Sequence, residues 1–154
     1  MPDYNRLNIE IRLLVREFGN ERVYWHREGE WIMVKDWPLP PNINKRSTNI
    51  VVLIPPSFGN GEAIRDAFID SSIKVFHKTE KKYVPIPHFH RQFPYARLQL
   101  GTREEWKNKQ WQYICIHDRN SGSHGSIMNY LIHVYKFLDD PFRNWEGTFS
   151  SYRK

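Results

Sequence analysis

A chain of 154 residues, 40% hydrophobic and 26% charged, has the composition of one globular domain and not of a disordered protein. No apolar run reaches the roughly 18 to 20 residues that span a bilayer, and the N-terminus lacks the layout of a secretion signal. A single cysteine excludes an internal disulfide framework. We therefore expect a single cytoplasmic domain over residues 1–154. The net charge of +6 favours acidic partners in general.

An amphipathic helix is predicted over residues 4–18, because apolar residues recur there at helical spacing. Asp3 or Asn5 is expected to cap its start, and Gly19 is expected to close its end. The charged residues of this segment are assigned mostly to the solvent face: Arg6, Glu10, Arg12, Arg16 and Glu17.

Strands are predicted over residues 22–27 and 30–37, with a hairpin turn at Glu28-Gly29. Residues 37–41 contain three prolines and are expected to leave the sheet, because proline donates no ladder hydrogen bond. The continuous β-branched run 49–54 predicts a central strand, which Pro55-Pro56 ends. Further strands are predicted over residues 73–76, 96–100 and 110–117, while residues 78–94 have no clear assignment.

A second helix is predicted after the polar loop 118–125, with Ser123 or Ser126 as its cap and Asp140-Pro141 at its end. Trp145 is expected to pack the tail back onto the domain. One helix, a set of antiparallel strands and a second helix make up an α+β domain. The apolar face of the second helix is assigned to Ile127, Leu131, Val134 and Leu138.

Cys115 lies at the end of a predicted strand, before a loop rich in glycine and serine. Reacting groups are often displayed at such strand ends, so its thiolate is a candidate nucleophile. A lone cysteine between Ile114 and Ile116 is also typical of a small core residue. In an alternating strand Cys115 faces away from both isoleucines, which favours the nucleophile.

Two further side chains are candidates for the same chemistry. His117 can steer or deprotonate an incoming group near Cys115, or it is an ordinary loop histidine. Asn120 can donate a hydrogen bond to a developing oxyanion, as can Asn108, or both serve turns. His88, His90 and His124 form no tight metal-ligand motif, so we expect no metal and no cofactor.

Several segments resemble ubiquitin-conjugating enzymes, and most of all their bacterial relatives. The series Trp37-Pro38-Leu39-Pro40-Pro41, an apolar strand and Pro55-Pro56-Ser57-Phe58 resembles the family's strand–proline turn–strand passage. Ile114-Cys115-Ile116 resembles the strand that holds the family's catalytic cysteine. The helix that ends in Phe137-Leu138-Asp139-Asp140-Pro141 resembles the helix that follows it. The family's His-Pro-Asn motif before the cysteine is absent here.

The resemblance implies an N-terminal helix, an antiparallel β-meander and a C-terminal helix around a thioester-forming Cys115. It assigns no oxyanion donor, so His117 and Asn120 are taken as catalytic candidates from their own chemistry and their position near Cys115. An activating enzyme would dock on the first helix through Arg6, Arg12 and Arg16. It would pass a ubiquitin-like protein to Cys115, and a target amine would then accept it, in a bacterial defence or protein-modification system. Lys107, Lys109 and Arg119 are expected to supply positive potential near the thiol.

Two alternatives stay open at this stage. The first is a catalytically inactive domain of the same fold that binds a ubiquitin-like partner or scaffolds a complex. The second is a basic module that stacks nucleic-acid bases on Trp25, Trp31, Trp106 and Trp111. Aromatic residues in a strand-rich domain more often form cross-strand or core contacts, so nucleic acid is the less favoured partner. No membrane partner is expected.

Overall fold

The computed structural model describes residues 2–89, 111–116 and 126–143 of the chain. Helix α1 spans Tyr4–Phe18 and is followed by a 3-10 turn at Asn20–Arg22, and helix α2 spans Ile127–Asp139. The strands are β1 Val23–Trp25, β2 Trp31–Pro38, β3 Ser47–Leu53, β4 Asp66–Asp70, β5 Lys74–His77, β6 Lys82–Pro85 and β7 Trp111–Cys115. The α+β class expected from the sequence is thereby confirmed.

Five strands form an antiparallel sheet in the order β1-β2-β3-β4-β7. The first four follow one another along the chain as a meander, and β7 adds to β4 after a long excursion. That excursion includes a separate two-stranded sheet, the β5–β6 hairpin. The central position predicted for the run at residues 49–54 is confirmed, since β3 has two strands on either side of it.

Both faces of the five-stranded sheet are buried, which explains the continuous apolar run of β3. Alternate residues such as Ile50 and Val52 face a helix-side core that includes the apolar faces of α1 and α2. Val51 between them belongs to a second core on the opposite face. The buried members of this second core are Trp31, Met33, Val51, Phe68 and Trp111.

Helix α1 has the predicted bounds and the predicted caps. The Asp3 carboxylate accepts hydrogen bonds from the backbone N–H groups of Asn5 and Arg6, and Gly19 closes the helix at a φ of 97°. The assignment of Glu10 to the solvent face was wrong, because its side chain lies in the interior and the residue is only 3% exposed. Its carboxylate accepts a hydrogen bond from the first N–H group of α2.

The prediction that the chain leaves the sheet at Trp37 was also wrong. β2 continues past a register shift between Val34 and Trp37, and Pro38 still pairs with Ser47 of β3. Asp36 adopts a φ of 53° within this irregularity and its N–H donates to the Asn49 side chain. Proline is tolerated there because β1 pairs only with Ile32 to Val34, so at Pro38 strand β2 has a partner on one side alone.

Strands β4 and β6 are absent from the sequence prediction. β4 has only three apolar residues between two aspartates, and β6 is almost wholly exposed, so neither shows a strong periodic pattern. The strand predicted over residues 73–76 corresponds to β5, and Ser126 is the observed cap of α2. The strand predicted over residues 96–100, the other cap candidate Ser123 and Trp145 lie outside the described residues.

Gln112 holds β7 in place from the interior. Its residue is 2% exposed, and its Nε2 donates to the carbonyl oxygens of Asp70 and Ile73, both at 2.9 Å. These two carbonyls belong to the turn between β4 and β5. The side chain therefore ties the strand that carries Cys115 to the start of the β5–β6 hairpin.

Replacing Gln112 by methionine is expected to lower the free energy of unfolding by about 2 to 3 kcal/mol, because its two interior hydrogen bonds to carbonyl oxygens are lost. Asn44→Ala is the matched control: it also removes two hydrogen bonds, to Ser72 and Lys74, but in an exposed setting. We expect it to cost less than about 1 kcal/mol. Urea denaturation measures both, and equal losses would contradict the role assigned to Gln112.

Candidate active site at the end of strand β7

Cys115 is the last residue of β7, and its backbone position is set by the residues on both sides. Its strand partner is Asp66, the first residue of β4. Ile114 and Ile116 are completely buried in the helix-side core. Beyond the strand, the Ile116 N–H donates to the carbonyl oxygen of Arg65 at 2.7 Å. Cys115 thus lies on a fixed strand end, while its side chain is outside the described part.

A carboxylate lies directly across the sheet from the Cys115 backbone. The hydroxyl of Tyr113 donates to Asp66 Oδ1 at 2.7 Å, and the Nε of Arg65 is 3.7 Å from Asp66 Oδ2. Both oxygens of Asp66 are therefore engaged by neighbouring groups. Neither Asp66 nor Arg65 stands out in the sequence, since the pairing of β4 with β7 joins positions far apart in the chain.

The other residues predicted for this site fall in the segments that the structure does not describe. These are His117, Asn120, Asn108, Lys107, Lys109 and Arg119. They remain predictions from the sequence. The segment with His117 and Asn120 connects two described positions, Ile116 at the end of β7 and Ser126 at the start of α2.

The start of α2 is held by a buried carboxylate from α1. Glu10 Oε1 accepts a hydrogen bond from the Ile127 N–H at 2.7 Å, and Glu10 Oε2 lies 3.4 Å from the Nε of Arg6. The hydroxyl of Ser126 accepts from the Asn129 N–H at 3.4 Å. An anion is favoured at this position, because the first N–H groups of a helix have no partner within it.

The face of α1 proposed to meet an activating enzyme carries both cations and exposed apolar side chains. Arg12 and Arg16 are exposed, and they share one helical stripe with Ile9 and Leu13, which are 52% and 40% exposed. Arg6 is half-exposed and is engaged by Glu10. The sequence prediction identified the arginines but not the apolar part of this stripe.

The histidines and tryptophans were candidates for other kinds of site. His88 has a φ of 66° and its ring centroid lies 6.0 Å from that of Phe137, whereas His90, His124 and Trp106 lie outside the described residues. Within residues 2–89, 111–116 and 126–143, no three metal-binding side chains converge. Trp31 and Trp111 are buried in the second core and cannot stack on bases, while Trp25 is exposed.

Comparisons with known proteins add no assignment. No family model, no curated protein and no solved structure matches this chain. Neither α1 nor α2 is long and apolar enough to cross a membrane.

Proposed function

We propose that this chain is a ubiquitin-conjugating-like transferase that carries a ubiquitin-like protein as a thioester on Cys115. The observation that supports this most is the position of Cys115 at the last residue of β7, where the ordered strand ends between two buried isoleucines. A nucleophile at such a place is positioned by a rigid scaffold, and strand ends are common positions for catalytic residues.

The order of elements also supports the proposal. A first helix, a meander of strands and a helix after the cysteine match what the resemblance to ubiquitin-conjugating enzymes implies. The segment Pro55-Pro56-Ser57-Phe58, which follows β3, places the completely buried Phe58 in the helix-side core. The carbonyl oxygen of Phe58 accepts a hydrogen bond from the Asp3 N–H at 2.8 Å, so this turn also fixes the start of α1.

The reaction proceeds through two exchanges at one carbonyl carbon. The thiolate of Cys115 attacks the thioester that joins the ubiquitin-like protein to the activating enzyme, and the enzyme's thiolate leaves. A target amine then attacks the new thioester and expels the Cys115 thiolate, which leaves an amide. His117 would orient or deprotonate the amine, and Asn120 would donate to the oxyanion.

The partner surface for the activating enzyme would be the stripe of Ile9, Arg12, Leu13 and Arg16 on α1, with Arg6 at its edge. Its arginines favour an acidic partner face, and its exposed apolar side chains supply area to bury.

The first test measures the Cys115 thiol itself, because no other cysteine reacts. We expect a thiol reagent to label the native chain at a rate comparable to that of the chain unfolded in denaturant. Labelling only after unfolding would make the sulfur a core group and would contradict the proposal.

The second test looks for the thioester. The tagged chain is expressed in the organism whose genome encodes it, so that its natural partners are present. It is purified in acid without reductant, and its intact mass is then measured. We expect a species heavier than the tagged chain alone by the mass of one small protein, which dithiothreitol or hydroxylamine removes. A thiol that is accessible but never carries such a mass would instead indicate a binding domain without transfer activity.

A further inference from the structure

A concave surface lies away from Cys115. It is a cleft of 730 Å³ between the β5–β6 hairpin and the C-terminal end of α2, called here the hairpin cleft. Phe76, Tyr83 and Lys78 line its hairpin side, and Asp139, Asp140 and Phe142 line its helix side. The hairpin follows the Asp70 end of β4, whereas Cys115 pairs with the opposite end of that strand.

The walls of the hairpin cleft are joined to one another by hydrogen bonds through Asn42. The Phe76 N–H donates to the Asn42 carbonyl oxygen at 2.8 Å. The Asn42 Nδ2 donates to the carbonyl oxygens of Leu138 and Asp139, at 3.0 and 3.3 Å. Because one residue bonds both to the hairpin and to the end of α2, the cleft is formed before any ligand arrives.

The cleft exposes three aromatic rings close to one another. Phe76, Tyr83 and Phe142 are 37%, 48% and 46% exposed. Phe76 and Tyr83 meet edge to face at 5.5 Å between centroids, and Phe142 meets the ring of His77 at 4.7 Å. These contacts hold the rings in place and leave parts of their surfaces open to solvent.

The helix side of the cleft is electrically negative for three separate reasons. Asp139 and Asp140 place two exposed carboxylates there. The C-terminal end of α2 adds the negative end of its dipole. The Oδ1 of Asn42 is buried and accepts no hydrogen bond from the described residues, so its partial charge is uncompensated. Among the residues that line the cleft, Lys78 on the hairpin side carries the opposing charge. Lys136 in the last turn of α2 and Arg143 after Phe142 are exposed cations outside this lining.

We propose that the hairpin cleft binds an arginine side chain presented by a peptide segment of a partner protein. A guanidinium stacks on aromatic rings and donates to a carboxylate with two N–H groups at once, so it fits exposed rings beside Asp139 and Asp140. A lysine ammonium is more strongly hydrated and lacks the flat face. An acidic neighbour of that arginine in the peptide would meet Lys78.

This inference does not depend on transfer chemistry at Cys115. The residues that carry it all lie in described parts of the chain, and binding is measured without any activating enzyme. A failure of either proposal therefore leaves the other standing.

The test uses the full chain and N-acetyl-arginine N-methylamide as the probe, followed by backbone and aromatic chemical shifts in NMR. The matched ligand is the citrulline analogue, which has nearly the same shape without the charge. We expect the arginine probe to shift signals of Phe76, Tyr83 and Phe142 with a dissociation constant in the millimolar range, and the citrulline probe to bind at least about tenfold more weakly.

The matched protein variants change the same number of charges in different places. Asp139→Asn with Asp140→Asn is expected to weaken arginine binding by about tenfold or more, because the carboxylates are lost and the surface keeps its shape. Glu17→Gln with Glu21→Gln, on exposed positions of α1 and the following turn, is expected to leave binding unchanged. Thermal unfolding of each variant verifies that all are folded.

Three results would overturn the proposal. Equal shifts with the citrulline probe would mean that charge does not select the ligand. Equal weakening in both double variants would indicate a non-specific attraction of cations. A dimer in sedimentation that Phe142→Ala dissociates would identify a second copy of this chain as the occupant of the cleft.

Discussion

Cys115→Ser is expected to abolish transfer of the ubiquitin-like protein to target amines. A free thiol has a pKa of about 8.5 and is partly ionised at neutral pH, whereas a serine hydroxyl needs a base to become a nucleophile. If the hydroxyl does accept the ubiquitin-like protein, the product is an oxygen ester. Such an ester reacts slowly with amines, so the cargo stays on residue 115.

The measurement is the intact mass of the variant expressed in its own cells, before and after treatment with dithiothreitol. A trapped ester keeps its added mass in reductant and loses it in alkali, whereas the native thioester loses it in reductant. Peptide mapping then locates the joined C-terminus at residue 115.

Cys115→Ala is the matched control, because it offers no nucleophile of either kind. We expect it to carry no adduct and to support no transfer. Both variants must unfold at the same temperature as the native chain, so that loss of activity is separated from loss of structure. Normal conjugation with either variant would remove Cys115 from the mechanism.

Glu10→Ala is expected to lower the free energy of unfolding by about 2 to 3 kcal/mol. The Glu10 carboxylate is buried, accepts from the Ile127 N–H at 2.7 Å and lies beside Arg6. Its removal leaves the first N–H of α2 without this acceptor, and hydrogen bonds to charged groups are worth about 1.5 to 3 kcal/mol. Glu10→Gln keeps an acceptor oxygen and is expected to lose about half as much.

Glu17→Ala provides the control on the same helix, since Glu17 is exposed and its replacement is expected to change stability by less than about 0.5 kcal/mol. Urea denaturation gives the energies. Hydrogen exchange adds a local measurement: the Ile127 amide should exchange faster in Glu10→Ala and not in Glu17→Ala. Equal stability losses in the two alanine variants would refute the role assigned to Glu10.

The fold could be predicted where a local pattern determines the structure. Helix α1 was predicted to its observed bounds, because its apolar spacing, the Asp3 cap and Gly19 all act within a few residues. Central strand β3 was predicted from its β-branched run. Strand β4 was missed because three apolar residues between aspartates are too few to show a period. Its pairing with β3 on one side and with β7 on the other makes it a strand.

Glu10 shows why the polar part of a core is harder to predict than the apolar part. Its position falls on the buried stripe between Leu7 and Leu14, so helical spacing alone predicts that Glu10 is buried. Its charge, however, favours the solvent-exposed face. Its partner, the Ile127 N–H, is 117 positions away along the chain. Only the packing of α2 against α1 reveals what makes a buried carboxylate favourable there.

The same reasoning applies to the candidate site. The sequence predicted a strand over residues 110–117 with Cys115 near its end, and the structure has Cys115 as the last residue of β7. It could not predict that Asp66 lies opposite, because no local pattern links β4 to β7. The hairpin cleft was likewise unpredictable, since it is assembled from a loop, a hairpin and a helix end that share no motif.

The long connection between β4 and β7 has a consequence for the entropy of folding. Gln112 contacts the Asp70 carbonyl oxygen across 42 positions of sequence, whereas the β5–β6 hairpin closes over a few residues. Closing a loop about ten times longer costs roughly 2 kcal/mol more in chain entropy. The buried bonds of Gln112 and the burial of Trp111 offset that cost, and so they keep the strand end that carries Cys115 attached to the sheet.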